Sequence, residues 1–328
     1  MQHEPHLSAP EKCISEARDA DEHAHNLTDW QQEYDQLSDG NFYGRIDEVT
    51  LEGLQVFKEH TNRSLRQQCN VWADSIWLGI PAQPSDSRIN GLVIGHDQLM
   101  CRPGSCDFEL MTPEKYDIYG IVVKQDVLLQ AAEVQGLALK GLSLNEYPRL
   151  TVQQKTLDDV RYLLERVLNH NANGLNNQMQ QDVVTMGLLR LLQEETPSSS
   201  PAPSYAHRKA VVDRVKEYLT THADAPVTMT ELCELTHVSR RTLQYSFETI
   251  LGISPLRFLR TARLNRVRRN LSDPLSDSSV AVVAANWGFW HPGQFAKDYK
   301  QLFGENPSET VKRTQQDHHR QIDSVISI

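Results

Sequence analysis

The C-terminal third of this 328-residue chain repeats itself, and the repeat leaves few folds open. Phe247, Gly252 and Pro255 recur as Tyr299, Gly304 and Pro307. In each set an aromatic stands five residues before a glycine, and a proline three residues after it. Upstream, Leu232, Cys233, His237 and Val238 match Val283, Ala284, Gly288 and Phe289, with the offset changing from 52 to 51 residues. Each copy reads as two helices joined by a tight turn. In the first, Thr228 precedes Glu231 by three positions, the spacing at which a hydroxyl and a carboxylate satisfy each other's helix-end amides. Ser239 caps the next helix, where Leu243, Phe247, Ile250 and Leu251 share a face and Gly252 ends the run. Arg240, Arg241, Gln244 and Tyr245 are left on the outer side. In the second copy Gly288 makes the turn, His291 takes the cap position and Pro292 is the first helical residue. Phe295, Tyr299 and Phe303 face inward there, and Gln294, Ala296 and Lys297 outward.

Charge follows the repeat. The whole chain carries −10, an unpromising value for a nucleic-acid partner. Residues 208–328 hold 17 Lys and Arg against 13 Asp and Glu, a balance of +4, so the rest carries −14. Residues 239–271 contain eight arginines and one acid, Glu248. A helix over Pro255–Leu271 joins the copies and carries Arg257, Arg260, Arg263, Arg266, Arg268 and Arg269, and Arg263 and Arg266 are expected on phosphates.

The rest of the chain divides by pattern. Residues 1–27 are polar and read as a disordered tail. Residues 28–195 read as a β-rich domain ending in two helices. Alternating runs at 43–51, 54–59, 91–94, 108–111 and 119–123 are broken by Gly, Pro, Asp and Ser turns. Helical spacing then unites Leu157, Val160, Leu163, Leu164 and Val167, and again Met179, Val183, Met186, Leu189 and Leu192, a pair that suits a dimer surface. Residues 196–207, rich in Pro and Ser, read as a linker; 208–313 as the helix-turn-helix pair; 314–328 as a polar tail. Five irregularly spaced cysteines, no apolar leader and no run of 18 apolar residues are the pattern of a bacterial cytoplasmic chain with reduced thiols and no membrane contact.

The stretches around Leu232–Phe247 and from Val283 to Glu309 resemble the AraC/XylS regulators. The resemblance implies an α+β protein: a cupin-like β-sandwich sensor with flanking helices, plus an all-α domain of two helix-turn-helix units. It implies that the recognition helices enter successive major-groove segments of promoter DNA, with Ser239, Arg240, Arg241, Thr242, Gln244, Tyr245, His291, Gln294 and Lys297 at the DNA. Thr242 and Tyr245 hold the positions that touch bases in related members. Gly293 and Ala296 depart from the pattern, and direct base readout by the second unit is in doubt for that reason. The stretches Asp29–Leu37, Phe57–Cys69, Val71–Ala82 and Arg102–Tyr116 are similar to regulators of bacterial ethanolamine-utilisation operons. That similarity implies ethanolamine and a cobalamin as effectors of an activator. A homodimer is expected because paired sites add affinity through effective concentration, RNA polymerase is an expected partner, and no cofactor is expected for folding.

A small cationic effector needs an anion and can use aromatic faces. Trp72, Trp77, Asp107, Glu109 and Tyr119 have that chemistry and are the candidate ligand contacts, although tryptophans such as Trp72 and Trp77 are more often core or interface residues and a strand glutamate such as Glu109 usually faces solvent. Three rivals stay open: a regulator of another catabolic or stress operon, a metal-free cupin enzyme, and an adaptor. Only His60 and His96 fall within 28–150, too few for a clustered metal set. No phosphate-binding glycine loop or nucleophile elbow is present.

Overall fold

The computed structural model describes residues 11–137, 148–169, 177–193, 196–197, 203–222, 227–275 and 278–326. Their contacts divide the chain into two units: residues up to Tyr34 with Tyr43–Ser200, and Asp35–Phe42 with Pro201–Ile328.

The first unit is a β-sandwich flanked by helices. Its strands are β1 (Glu11–Ala17), β2 (Gln31–Gln36), β3 (Gly44–Leu51), β4 (Leu54–Thr61), β5 (Leu65–Asn70), β6 (Ser75–Pro81), β7 (Arg88–Ile89), β8 (Leu92–Val93), β9 (Gln98–Pro103), β10 (Phe108–Thr112), β11 (Tyr116–Lys124), β12 (Arg149–Thr151) and β13 (Thr196–Pro197). Its helices are α1 (Ala20–Ala24), α2 (Gln125–Val134), α3 (Gln154–Leu168) and α4 (Asn177–Gln193). One sheet has the order β1-β3-β4-β11-β6-β9-β12-β13, the other β2-β5-β10-β7-β8. The pairs β1–β3, β3–β4, β4–β11, β11–β6, β6–β9, β9–β12 and β12–β13 in the first sheet, and β5–β10, β10–β7 and β7–β8 in the second, are antiparallel, as hairpin connections allow. Strand alternation gives the larger sheet two buried faces. On β4, Leu54 and Val56 join the cluster with Leu157, Val160 and Leu164 of α3 and Leu188 and Leu191 of α4. The intervening Gln55, Phe57 and Glu59 lie against the smaller sheet. The β-sandwich with flanking helices expected from the pattern is therefore present.

Four expectations are corrected. Residues 11–27 are ordered: β1 pairs with β3 from Glu11 opposite Thr50 to Ala17 opposite Gly44, and α1 buries Ala20, His23 and Ala24. β1 is an edge strand with Lys12, Cys13, Ile14 and Glu16 exposed, so backbone pairing rather than apolar content orders it. The expected polar tail 314–328 instead continues a helix as far as Ile326. On α4 the apolar residues do not form one face: Leu189 and Leu192 are buried, while Met179, Val183 and Met186 are exposed. The expected linker 196–207 is partly regular structure: Thr196–Pro197 pair with β12, and 203–207 belong to a helix that begins at Pro203. Residues 1–10 and 198–202 of the expected tail and linker lie outside the described residues.

The second unit is helical: α5 (Pro203–Thr221), α6 (Met229–Thr236), α7 (Arg240–Leu251), α8 (Pro255–Leu271), α9 (Val280–Asn286), α10 (Pro292–Phe303) and α11 (Pro307–Ile326). Around the first repeat, Leu232, Leu243, Phe247, Ile250 and Phe258 are buried, with Phe247 edge-on to Phe258 at 5.4 Å. Around the second, Val283, Ala284, Phe295, Tyr299, Leu302 and Phe303 pack on Leu264, Val267 and Leu271 of α8. The segment Asp35–Phe42, far away in sequence, is built into this unit. The Asn265 carboxamide on α8 accepts from the Gln36 N–H and donates to the Gln36 C=O, both at 2.9 Å. Leu37 and Phe42 are buried.

Candidate nucleic-acid interface

Caps and turns set the first motif. The Thr228 hydroxyl accepts from the Glu231 N–H at 3.2 Å, and the Glu231 carboxylate accepts from the Thr228 N–H at 2.7 Å. That backbone hydrogen bond, then the Thr228 side chain, holds the Glu231 carboxyl below its ordinary value. His237 ends α6 at φ 55° in the left-handed region. The Ser239 hydroxyl then accepts from the Thr242 N–H at 3.2 Å and starts α7. This start leaves Arg240, Arg241 and Tyr245 exposed and Thr242 and Gln244 half-buried. Thr242 is also bonded to Ser239 through its hydroxyl at 2.9 Å, and Gln244 donates to Glu248 at 2.6 Å. Arg208 of α5 lies over the Tyr245 ring at 5.4 Å. The N-terminal residues of a recognition helix are the ones that reach base edges, so the first two turns of α7 offer two guanidinium groups, an amide and a phenol.

The second motif keeps the frame and changes the surface. Ser279 caps α9, and Gly288 supplies the turn at φ 77°. His291 precedes α10 without a side-chain cap bond, and Pro292 opens the helix. His291, Gly293, Gln294 and Lys297 are exposed, and Ala296 is half-buried. A Cβ on Gly293 would meet no atom within 4 Å, so that position is open space. Gln294 donates to Asp298 at 2.5 Å.

The α8 arginines are divided among several partners. Arg263 lies over Phe289 at 5.4 Å and Arg266 over Trp287 at 5.3 Å, both rings from the turn of the second motif. Burial pulls the Arg263 guanidinium below its ordinary value, and Arg266 donates to the Leu219 C=O at 3.1 Å. Trp287 and Phe289 are half-buried against the second core, whereas Trp290 is 66% exposed. Arg260 pairs with Asp298, and Arg268 with Glu305 at 2.9 Å. Arg257 donates to the Leu37 C=O at 3.0 Å, and Arg269 pairs with Asp35 at 2.8 Å. Sequence reading missed these assignments, because a row of arginines carries no sign of which ones have intramolecular partners.

In the sandwich, the five candidate ligand residues are not brought together. Trp77 and Tyr119 face opposite ways: Trp77 stacks on Phe108 at 4.6 Å between the sheets, whereas Tyr119 joins the cluster under the helices. In register Trp77 stands opposite Val122, three positions from Tyr119, so the two point to opposite faces. Tyr119 donates to Glu165 of α3, and Lys58 reaches the same carboxylate at 2.9 Å. Burial and the Glu165 hydrogen bond raise the Tyr119 phenol. Glu109 pairs with Arg66 at 2.5 Å, Asp107 is exposed and bonded to Asn70, and Trp72 is half-buried.

The sandwich interior instead collects polar groups that the sequence reading did not single out. Glu48, Gln55, Glu59 and Gln67 are all buried. Gln55 donates to Glu48 at 2.7 Å and accepts from the Trp30 indole at 3.0 Å. His23 stands 3.0 Å from Glu59. Burial, then the charge of Glu59, pushes the Cys69 thiol well above its ordinary value. The signal was present in β4, where Gln55, Phe57, Glu59 and Thr61 alternate with the residues under the helices. Among the described residues, no three His, Cys, Asp or Glu side chains are grouped to hold a metal ion, and no helix is long and apolar enough to cross a membrane.

Comparison with known proteins agrees with the repeat. A helix-turn-helix domain family matches residues 232–313. A probable thc operon regulatory protein from Rhodococcus erythropolis is 39% identical over 104 residues, which are 31% of each chain. The XylDLEGF operon transcriptional activator 2 of Pseudomonas putida is 31% identical over 121 residues, 37% of this chain and 77% of its own length. A crystal structure of a probable AraC family transcriptional regulator from Rhodopseudomonas palustris CGA009 is 36% identical across 32% of this chain and 98% of its own, with a TM-score of 0.31. The chain spans about a third of the length of the first curated relatives it matches. Identity above 30% across most of a relative, on top of the two capped helix-turn-helix units, means that the chain belongs to the AraC/XylS family of helix-turn-helix transcription regulators.

Proposed function

We propose that this chain is a sequence-specific transcription regulator that presents α7 and α10 to double-stranded promoter DNA. The observation that carries the reading is the pair of capped motifs whose recognition helices expose Arg240, Arg241, Tyr245, Gln294 and Lys297 at their N-terminal ends. Arg241 can grip guanine with two donors, and Gln244 can do the same for adenine on release from Glu248. Arg263 and Arg266 supply phosphate contacts from guanidinium groups already oriented by Phe289 and Trp287.

The sandwich senses a small molecule, and the effector biases how the helical unit meets DNA. The similarity of residues 29–37, 57–69, 71–82 and 102–116 to regulators of ethanolamine-utilisation operons favours ethanolamine with a cobalamin, and an activator acting with RNA polymerase in a bacterial cytoplasm. Curated relatives named as operon activators favour activation and disfavour an enzyme or adaptor. The exposed Met179, Val183 and Met186 of α4 suit a homodimer contact. The test is binding of the full chain to its own promoter region across a salt series, with and without ethanolamine and cobalamin. Specific binding that weakens steeply with salt supports the regulator. Equal affinity for promoter and random DNA overturns it, and an effector response to neither compound moves the chain to another operon.

A further inference from the structure

The segment Asp35–Phe42 is tied to both α8 and α10. On α8, Asn265 holds both backbone groups of Gln36, Arg257 holds the Leu37 C=O, and Arg269 holds Asp35. On α10, the last carbonyls of the helix are the acceptors. The Gln36 amide donates to the Leu302 C=O at 2.6 Å, and the Gly40 N–H reaches the Leu302 C=O at 2.9 Å and the Gln301 C=O at 3.1 Å. Gln301 also donates to Asp39 at 2.7 Å. At Gly304, the glycine that ends α10, a Cβ would come within 1.7 Å of Asn41 Oδ1, so the segment packs directly on the helix end.

Two of these features have no purpose inside a self-contained helical domain. Asn265 is 4% exposed in the middle of α8, and a buried amide is costly unless its hydrogen bonds are made. Two of its three bonds go to Gln36, and the third, to the Thr261 C=O, is local. The carbonyls at a helix C-terminus likewise lack intrahelical partners, and Gln36 and Gly40 provide them at the end of the second recognition helix.

We propose that Asp35–Phe42 is a positioning element of the DNA-binding unit: it fixes α10 against α8 and so sets where the second recognition helix meets DNA. Residues 203–326 are not the whole of that unit. The proposal rests on the DNA-binding reading for its consequence and on the hydrogen bonds above for its mechanism.

The test uses the full chain and four variants: Asp35→Arg, Arg269→Asp, their combination, and Asp39→Ala. Asp35→Arg should weaken promoter binding at least about tenfold, the scale of one lost charge-assisted hydrogen bond, with protection lost over the half-site of the second motif. Arg269→Asp should do the same, and the combination should restore both, which a guanidinium serving only a phosphate would not allow. Asp39→Ala removes the milder contacts with Gln301 of α10 and, at 3.9 Å, with Arg257 of α8, keeps the test available if the charge variants do not fold, and should show a smaller loss of the same half-site. Hydrogen exchange of the α10 amides in free protein should speed up in every single variant. Unchanged exchange and an unchanged footprint in the folded variants, or losses that add in the combination, overturn the proposal. Exchange is read without DNA, so a wild-type chain that bound no promoter would defeat the DNA-binding reading while α10 still decided this one.

Discussion

The two helix-turn-helix motifs share a scaffold and differ in what they show. Phe247 and Tyr299 are both fully buried at corresponding positions, and Gly252 and Gly304 both end their recognition helices in the left-handed region. Outside that frame they diverge: α7 exposes Arg240, Arg241 and Tyr245, while α10 offers Gly293 and Ala296 beside Gln294 and Lys297. The inner faces are constrained by packing, which tolerates little change in volume. The outer faces answer only to the ligand. Duplication of a fold therefore does not duplicate its information, and the first motif should carry more of the sequence readout.

The largest effect expected is on stability and should be equal in the two motifs. Phe247→Ala and Tyr299→Ala should each destabilise the helical unit by about 3–5 kcal/mol, measured by thermal unfolding. A loss at one position far below the other would mean the two cores are not equivalent. The next effect should be unequal. In a selection on randomised operators, Arg241→Ala and Gln244→Ala should each remove about 1–3 kcal/mol of base discrimination at a defined position. Gln294→Ala should relax one position of the other half-site at most. Equal information in both halves would break the comparison.

The turns differ more finely. The first uses His237 at φ 55°, the second Gly288 at φ 77°. His237→Gly should stabilise the unit, and Gly288→Ala should cost about 1–2 kcal/mol, the ordinary penalty of a side chain in the left-handed region. A destabilising His237→Gly would show that the imidazole has a role beyond the turn. The smallest effect is in pH. The Glu231 carboxyl is lowered by the Thr228 backbone N–H, so its stabilisation is complete above the ordinary carboxylate value and is lost as pH falls through the lowered folded value. Ser279 of the second motif has Val282 where Thr228 has Glu231, so α9 lacks this response. Acid should loosen α6 before α9 in residue-resolved exchange, and Glu231→Gln should abolish the difference.

What was legible in the sequence is what depends on local pattern. The repeat gave caps, turns and inner faces, and strand alternation exposed the sandwich. The edge strand β1 was hidden because Glu11–Ala17 shows no apolar-polar alternation, its Cys13 and Ile14 being adjacent and exposed, while the backbone does the pairing. The interior carboxylates Glu48 and Glu59 sit in strands whose alternation does not itself say which face a second sheet covers. Trp77 and Tyr119 were grouped by chemistry, and the pleat separates them. The partners of Arg257 and Arg269 lie in Asp35–Phe42, beyond the reach of any window of sequence.

The placement of Asp35–Phe42 also bears on how the chain is made. Gln36 and Asn265 are 229 residues apart, so the helical unit closes a very long loop when it completes itself. Synthesis runs at roughly 5–20 residues per second, which separates the appearance of the two partners by on the order of tens of seconds. During that interval the eight-residue segment has left the ribosome and its seat has not. Loop closure adds only slowly with length to the equilibrium cost, but contacts of such high sequence separation slow folding. The helices α8 and α10 thus need a piece of chain made more than 200 residues before them. A nascent chain stalled before α8 would hold that piece with nowhere to dock, and the helical unit closes only once α8 and α10 have been made.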